Sequence, residues 1–194
     1  MALVLTTPPA AEPVSLADAK LHLRVDSTDE DSLISRAIQS AREYAETFTR
    51  RQLVAAAYRL ELDRAPCSGR WAAIPIPRPP LASVESVRYR KPGAADYTEI
   101  DPARYAVDTA SVPGRVILLD GWPALDTERP AALVVEFTAG TEPEAVPAGI
   151  VDAILVMVGD AYENRSSVIV GTVSSQIART ADRLLSPYAV GVIS

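Results

Sequence analysis

PAGIVDAILVMVGDAYENR, running from Pro147 to Arg165, carries the clearest helical period in the chain. Ile150, Val151, Ile154, Leu155, Val158, Ala161 and Tyr162 fall on one arc of about 140°, wide enough for a helix to bury one face in a core. Pro147 suits the first helical position, where its missing N–H is not needed, and Glu142 and Glu144 precede the positive end of the helix dipole. Val156 and Met157 extend the apolar surface beyond that arc, Val156 onto the side expected to face water, which predicts a second contact surface. Arg165 would return to the apolar face if the helix continued. Such a helix requires an apolar partner.

The partner lies about a hundred residues upstream. Ser27, Thr28, Asp29, Glu30 and Asp31 combine cap candidates with acids over a first turn, a strong helix start rather than a ligand cluster. Leu33, Ile34, Ala37, Ile38, Ala41, Tyr44, Ala45 and Phe48 then share one face, and the first seven repeat the offsets of Ile150 to Tyr162. The small residues Ala37, Ala41 and Ala45 allow close approach of another helix. Arg50 and Arg51 stand at the end, where cations are favoured. The simplest expectation is that the two long helices, about Asp29–Arg50 and Pro147–Asn164, pack directly together. The alternative is that each faces a sheet. A shorter helix opens at Ser15, spaced from Asp18 as in a capping box, with Leu16 and Leu23 on its inner side. Before it, Met1 to Pro13 reads as an extended arm.

Between the long helices the period changes from 3.6 to 2. Tyr58, Leu60 and Leu62 alternate with Arg59, Glu61 and Asp63, a half-buried strand. Ile74 and Ile76 alternate with Pro75 and Pro77, which fits only an edge or extended coil. Val87 and Tyr89 alternate with Arg88 and Arg90. Further short strands are expected at 97–100, 105–107, 116–119 and 133–138, with turns at Pro92-Gly93, Asp101-Pro102 and Pro113-Gly114. The expected fold class is α+β: a helical core of two long helices plus a short amino-terminal helix, an inserted antiparallel β unit and a carboxyl-terminal tail helix. The corresponding divisions are 1–51, 52–140, 141–165 and 166–194.

The last division contains Arg179, Asp182 and Arg183 as its only charged residues, against many apolar ones. Ile177, Ala181, Leu184 and Leu185 line a short helix that Pro187 stops. So much apolar surface in a terminal stretch implies docking, onto this core or onto another chain. The expectation is a segment that is poorly ordered or reaches away from its own core and folds onto a partner, with Leu184, Leu185, Pro187, Tyr188 and Val190 as docking residues. Val156, Met157 and Arg165 are the candidates for a contact between subunits.

Composition restricts the function further. The 194 residues are 48% apolar and 23% charged, ordinary for a globular protein with a real core. A net charge of −6 argues against a chain that grips nucleic acid with its whole surface, yet allows a channel through which DNA slides. No basic stretch precedes an apolar run at the amino end, and no run reaches the roughly 18 apolar residues of a membrane span. The single cysteine, Cys67, permits no internal disulfide and reads as a loop thiol. Together these predict a soluble protein made in the cytoplasm. His22, the one histidine, leaves no multi-histidine metal site and is read as a plain helix residue. No phosphate-binding glycine loop or nucleophile elbow is present. Asp152, Asp160 and Glu163 lie on the solvent arc of the long helix, and Arg88 with Arg90 is a weak nucleic-acid signal. No catalytic site, metal site or cofactor is expected.

The runs EPVSLADAKLHLRVD and DEDSLISRAIQSAREYAETFTRRQL resemble the amino end of the head–tail connector proteins of long-tailed phages and phage-like gene transfer agents. IPIPRPPLASVESVRY, the GWP at 121–123, the VEFTAG at 135–140, VPAGIVDAILVMVGDAYENR and the LLSPY at 184–188 continue the resemblance in order. After LLSPY such proteins often carry an arginine, whereas this chain has Ala189. The resemblance implies a non-enzymatic structural subunit of a virion or phage-like particle, located at the head–tail junction. It implies an adaptor ring of about twelve copies under the portal protein, made of two unlike lateral surfaces per subunit. Its other implied neighbour is a downstream stopper or tail protein, with DNA passing through the channel without specific binding. The alternatives are another ring protein of the junction, a stopper or tail-completion protein, or a small enzyme. A stopper would be mainly β, and an enzyme would need a convergent polar pocket.

Overall fold

A computed structural model describes residues 1–66, 73–164 and 175–191. Within these the chain is α+β, in two compact units: residues 1–10 with 55–141, and residues 11–54 with 142–194.

The first unit is built on strands whose alternation sorts apolar from polar residues. Strands β1 (Ala2–Thr7), β2 (Ala56–Leu62), β4 (Leu81–Arg90), β5 (Tyr97–Glu99) and β8 (Leu133–Ala139) form an antiparallel sheet in the order β1-β2-β8-β4-β5. Strands β3 (Ala73–Pro75), β6 (Tyr105–Asp108) and β7 (Arg115–Leu118) form a second, ordered β3-β7-β6. Register places Leu60 and Val87 on either side of Val135, and Tyr58 opposite Phe137, with those rings stacked at 5.6 Å. These residues share one buried core with Ile74, Ile76, Val116 and Leu118 of the smaller sheet. On the other face, Glu136 takes hydrogen bonds from Arg88, from Ser86 at 3.1 Å and from Arg59 at 3.4 Å. Such cross-strand pairs are the stabilising contacts of a half-solvated sheet. Pro75 stands in β3, an edge strand, where no ladder hydrogen bond is lost to it.

The amino terminus differs from expectation. It is not a free arm: residues Ala2–Thr7 pair antiparallel with β2, from Ala2 opposite Glu61 to Thr7 opposite Ala57. ALVLTT has strand propensity, but the strand it joins begins fifty residues later, so nothing local signals the pairing.

The second unit contains α1 (Leu16–Leu23), α2 (Asp31–Thr49), α3 (Ala148–Glu163) and α4 (Ser175–Leu185). Ser15 caps α1 by accepting the Asp18 N–H at 3.0 Å. Helix α2 begins two residues later than expected, because Asp29 is held in a turn by the Ser27 hydroxyl. Lys20 pairs with Asp31 at 2.7 Å, tying α1 to the first turn of α2. Ile34, Ile38, Ala41 and Ala45 of α2 are buried in one cluster with Ile150, Ala153, Ile154 and Val158 of α3. The Tyr162 hydroxyl near the end of α3 donates to Glu30 at the start of α2. The outer members of the two sequence arcs are not buried: Tyr44 and Ala161 are exposed, since each helix buries a narrower stripe than its apolar residues span.

Substituting Ile154 by Ala removes a fully buried side chain from the centre of this cluster. The expected cost is about 2–5 kcal/mol, read from chemical denaturation of the full chain.

The hairpin joining β6 to β7 is closed by Asp108. Its carboxylate accepts from the Ser111 hydroxyl at 2.6 Å, from Arg115 at 2.6 Å and from the Ser111 N–H at 3.1 Å. The Ser111 hydroxyl first, then Arg115, holds Asp108 well below the usual carboxylate range. A depressed folded value means that the interaction is present above the unfolded value of about 3.9 and is lost as pH falls through the folded one. In a carbon-detected NMR titration Asp108 should therefore stay ionised below the range of ordinary aspartates. Ser111→Ala should move it back towards them.

Candidate functional site

The carboxyl-terminal residues 175–191 are the part of the chain on which the sequence placed docking, and the structure gives most of them a place in their own unit. Leu185 is fully buried in the cluster of α2 and α3, and Leu184 and Tyr188 pack against it half-buried. This corrects the expectation that the segment reaches away from its core. Three hydrogen bonds hold it there. Val190 N–H donates to the Thr49 carbonyl at 2.9 Å, satisfying a carbonyl that the end of α2 leaves open. Arg51 Nε donates to the Tyr188 carbonyl at 2.7 Å, and the Tyr44 hydroxyl to Asp182 at 2.8 Å. That last bond, more than the partial burial of the ring, keeps the Tyr44 hydroxyl above its ordinary pKa. Gly149 completes the seat: a Cβ there would stand 2.9 Å from the Tyr188 hydroxyl, so the glycine leaves room for the ring.

Leu185 is thus a core residue, and not free to dock. Pro187, which starts the single 3-10 turn Ser186–Tyr188, and Ala189 beyond it are exposed, while Val190 is half-exposed. Val156 and Met157 are half-buried on α3, Met157 against the helical cluster. Arg165, Cys67, Val168, Ile169, Val170, Val192 and Ile193 lie outside the described residues, as does the side chain of Ile177.

A buried charge network escaped the sequence reading. Arg42 and Glu46 are each 6% exposed on α2 and pair at 2.9 Å. Arg42 also binds Glu12 at 2.7 Å, and Glu46 accepts from Gln52 at 2.7 Å and from the Leu53 N–H at 3.2 Å. Burial would lower the Arg42 pKa, but the hydrogen bond to Glu12 and the charges of Glu46, Glu12 and Glu43 together raise it. The network fixes two connecting segments, at Glu12 and at Gln52–Leu53, onto one helix. Arg42, Glu46 and Thr49 follow helical spacing along the border of the apolar face, the one signal that could have revealed it.

Removing one partner of a buried pair leaves the other charge uncompensated. Glu46→Ala should cost about 3–5 kcal/mol by denaturation. Glu12→Ala should cost less, because Glu12 is a third exposed and Arg42 retains Glu46.

Chemistry of other kinds is sparse. Among the described residues no group of three or more His, Cys, Asp or Glu is placed to hold a metal, and no helix is long and apolar enough to cross a membrane. His22 lies on α1 near Gly159 of α3. Arg88 is engaged with Glu136, and the Arg90 guanidinium sits 4.6 Å from the centre of the Tyr97 ring. The arginine pair is therefore spent within the sheet.

Residues 13–89 match the model of the phage gp6-like head-tail connector protein family. No curated protein matches the chain. Among solved structures, a chain of the virion of a native gene transfer agent particle is 20% identical, with a TM-score of 0.75 over all of this chain and 98% of that one. A chain of the neck of an empty particle, computed with C6 symmetry, is 21% identical with a TM-score of 0.73 over the same shares. A third, from the neck of a native particle computed with C12 symmetry, is 20% identical with a TM-score of 0.71, again over all of this chain and 98% of that one. The family and these neighbours are structural components of phage and gene transfer agent particles, not enzymes.

Proposed function

We propose that this chain is a head–tail connector subunit that forms a ring beneath the portal and continues the DNA channel towards the tail. The observation that carries the reading is the family match over residues 13–89, in a chain whose whole length follows the fold of gene transfer agent neck proteins. Neck structures of C6 and C12 symmetry favour a ring of about twelve copies, in which each subunit presents two unlike lateral surfaces. The place of action is then the head–tail junction of a virion or phage-like particle.

In this reading the helical unit, with α2 and α3 as its core and α1 and α4 against them, carries the inserted β unit. The partners are the portal protein, neighbouring copies, and a stopper or tail protein below. The acidic balance of the chain suits a channel wall that must release phosphate, and DNA passes without specific binding. Docking on the portal falls to the outward parts of the carboxyl end, Pro187 and Val190 with the open sides of Leu184 and Tyr188. Ala189 offers no charged contact there. Val156 and Met157 on α3, with Arg165, remain the candidates for contact between subunits on the helical unit.

Mass measurement on the purified chain, alone and mixed with portal, tests the reading. A ring-sized species that co-purifies with portal is expected; a chain that is monomeric in both preparations would count against it. Pro187→Glu should weaken portal binding while leaving the melting temperature unchanged. Leu185→Ala should instead lower stability by about 2–5 kcal/mol, as a core truncation does.

A further inference from the structure

The two edges of the β unit are finished differently, and the difference carries an inference about how copies join. Strand β1 ends the five-stranded sheet, so among the described residues one side of its backbone has no strand beside it. Natural edges are usually blunted by charge, proline or bulges, because an open edge invites another strand. Residues Ala2–Thr7 contain no charge and no proline, and the one register shift in the strand falls after Leu5, leaving Ala2–Leu5 in unbroken register with β2. Leu3 packs on the core of the unit, and Leu5, two residues on and so directed to the same face, is 49% exposed. The core layer stops short at this edge.

Strand β6 repeats the pattern at the end of the smaller sheet. Tyr105 packs on the core, and Val107, on the same face, is 38% exposed although its cross-strand neighbour Val116 is fully buried. The one charge on the strand, Asp108, is already held by Ser111 and Arg115. Other edges are protected. Strand β5 spans three residues and carries Glu99, β3 contains Pro75, and the part of β4 beyond β5 has two register shifts and the exposed Glu85.

These two open edges belong to different sheets, β1 to the larger and β6 to the smaller. From β1 to β5 there are four strand spacings, about 19 Å. From β5 the chain passes through a single 3-10 turn, Pro102–Arg104, directly into β6. Strand β6 therefore starts a few residues after β5, the strand at the other end of the larger sheet from β1. Two unlike open edges are what a closed head-to-tail ring requires.

We propose that neighbouring copies of this chain join edge to edge, β6 of one lying along the free side of β1 of the next, so that Leu5 and Val107 complete a shared core layer. This rests on the ring reading above. No like charges face each other across such a pairing, and the main-chain groups along both open edges gain partners.

The test uses the full chain with Cys67→Ser, carrying Val4→Cys and Ala106→Cys, both on exposed positions of the non-core face. A short bismaleimide is applied to the purified protein, alone and co-purified with portal, with mass measured in parallel. Loss of the monomer band to a ladder of dimers, trimers and larger species is expected for the double variant, and no such ladder for either single variant. Dimers from Val4→Cys alone would mean β1 pairs with β1 and overturn the proposal. A ring-sized mass without a ladder overturns the edge pairing and leaves the ring standing. Absence of any oligomer by mass in both preparations removes both.

Discussion

The burial of α2 and α3 in one cluster is the constraint from which the rest follows. Ile34 and Ile38 share their buried cluster with Ile150, Ile154 and Val158, residues that the chain reaches after completing eight strands. The helical unit therefore closes last in sequence terms, from residues on both sides of the β unit. Loop-closure entropy grows only slowly with the length enclosed, so a long insertion is tolerated when it folds on its own core. The separate cluster of Leu60, Val87, Val135 and Phe137 supplies that core.

Joining two units in this way makes the connecting segments part of the problem. Glu12 follows the β1 strand and Gln52–Leu53 precedes β2, and both are bound to the Arg42–Glu46 pair on α2. A buried ion pair adds little net stability compared with apolar packing, but it is demanding in geometry. Here it fixes where two strands of chain leave the helical unit. The carboxyl end is treated similarly. Leu185 and Tyr188 supply apolar contact, while Val190 and Arg51 match main-chain groups that would otherwise be left open.

This economy has a consequence for the apolar surface. Apolar residues that look available in the sequence, Leu185 above all, are consumed in holding the subunit together. Other apolar residues stay exposed, among them Leu5 and Val107 on strands at sheet ends and Leu21 on α1. The polar face of the larger sheet is closed on itself by Glu136 with Arg59, Arg88 and Ser86. That internal pairing leaves little basic surface there to hold a phosphate backbone.

The sequence by itself determined the helices α1 to α4, the strands β2 and β4 to β8 and the α+β class, because each rests on a local period of 3.6 or 2 that burial enforces. It also determined the connector resemblance, through ordered blocks from Glu12 to Tyr188. The tertiary structure alone decided that ALVLTT is a strand, since its partner β2 lies far along the chain and β propensity is realised only by pairing. It alone showed Arg42 and Glu46 buried, because a charged residue at the border of an apolar arc reads as solvated until its partners are known. It alone turned Leu185 inward. An amphipathic terminal helix has an apolar face in either case, and only the space between α2 and α3 decides whether that face is filled from within the chain or left for a neighbour.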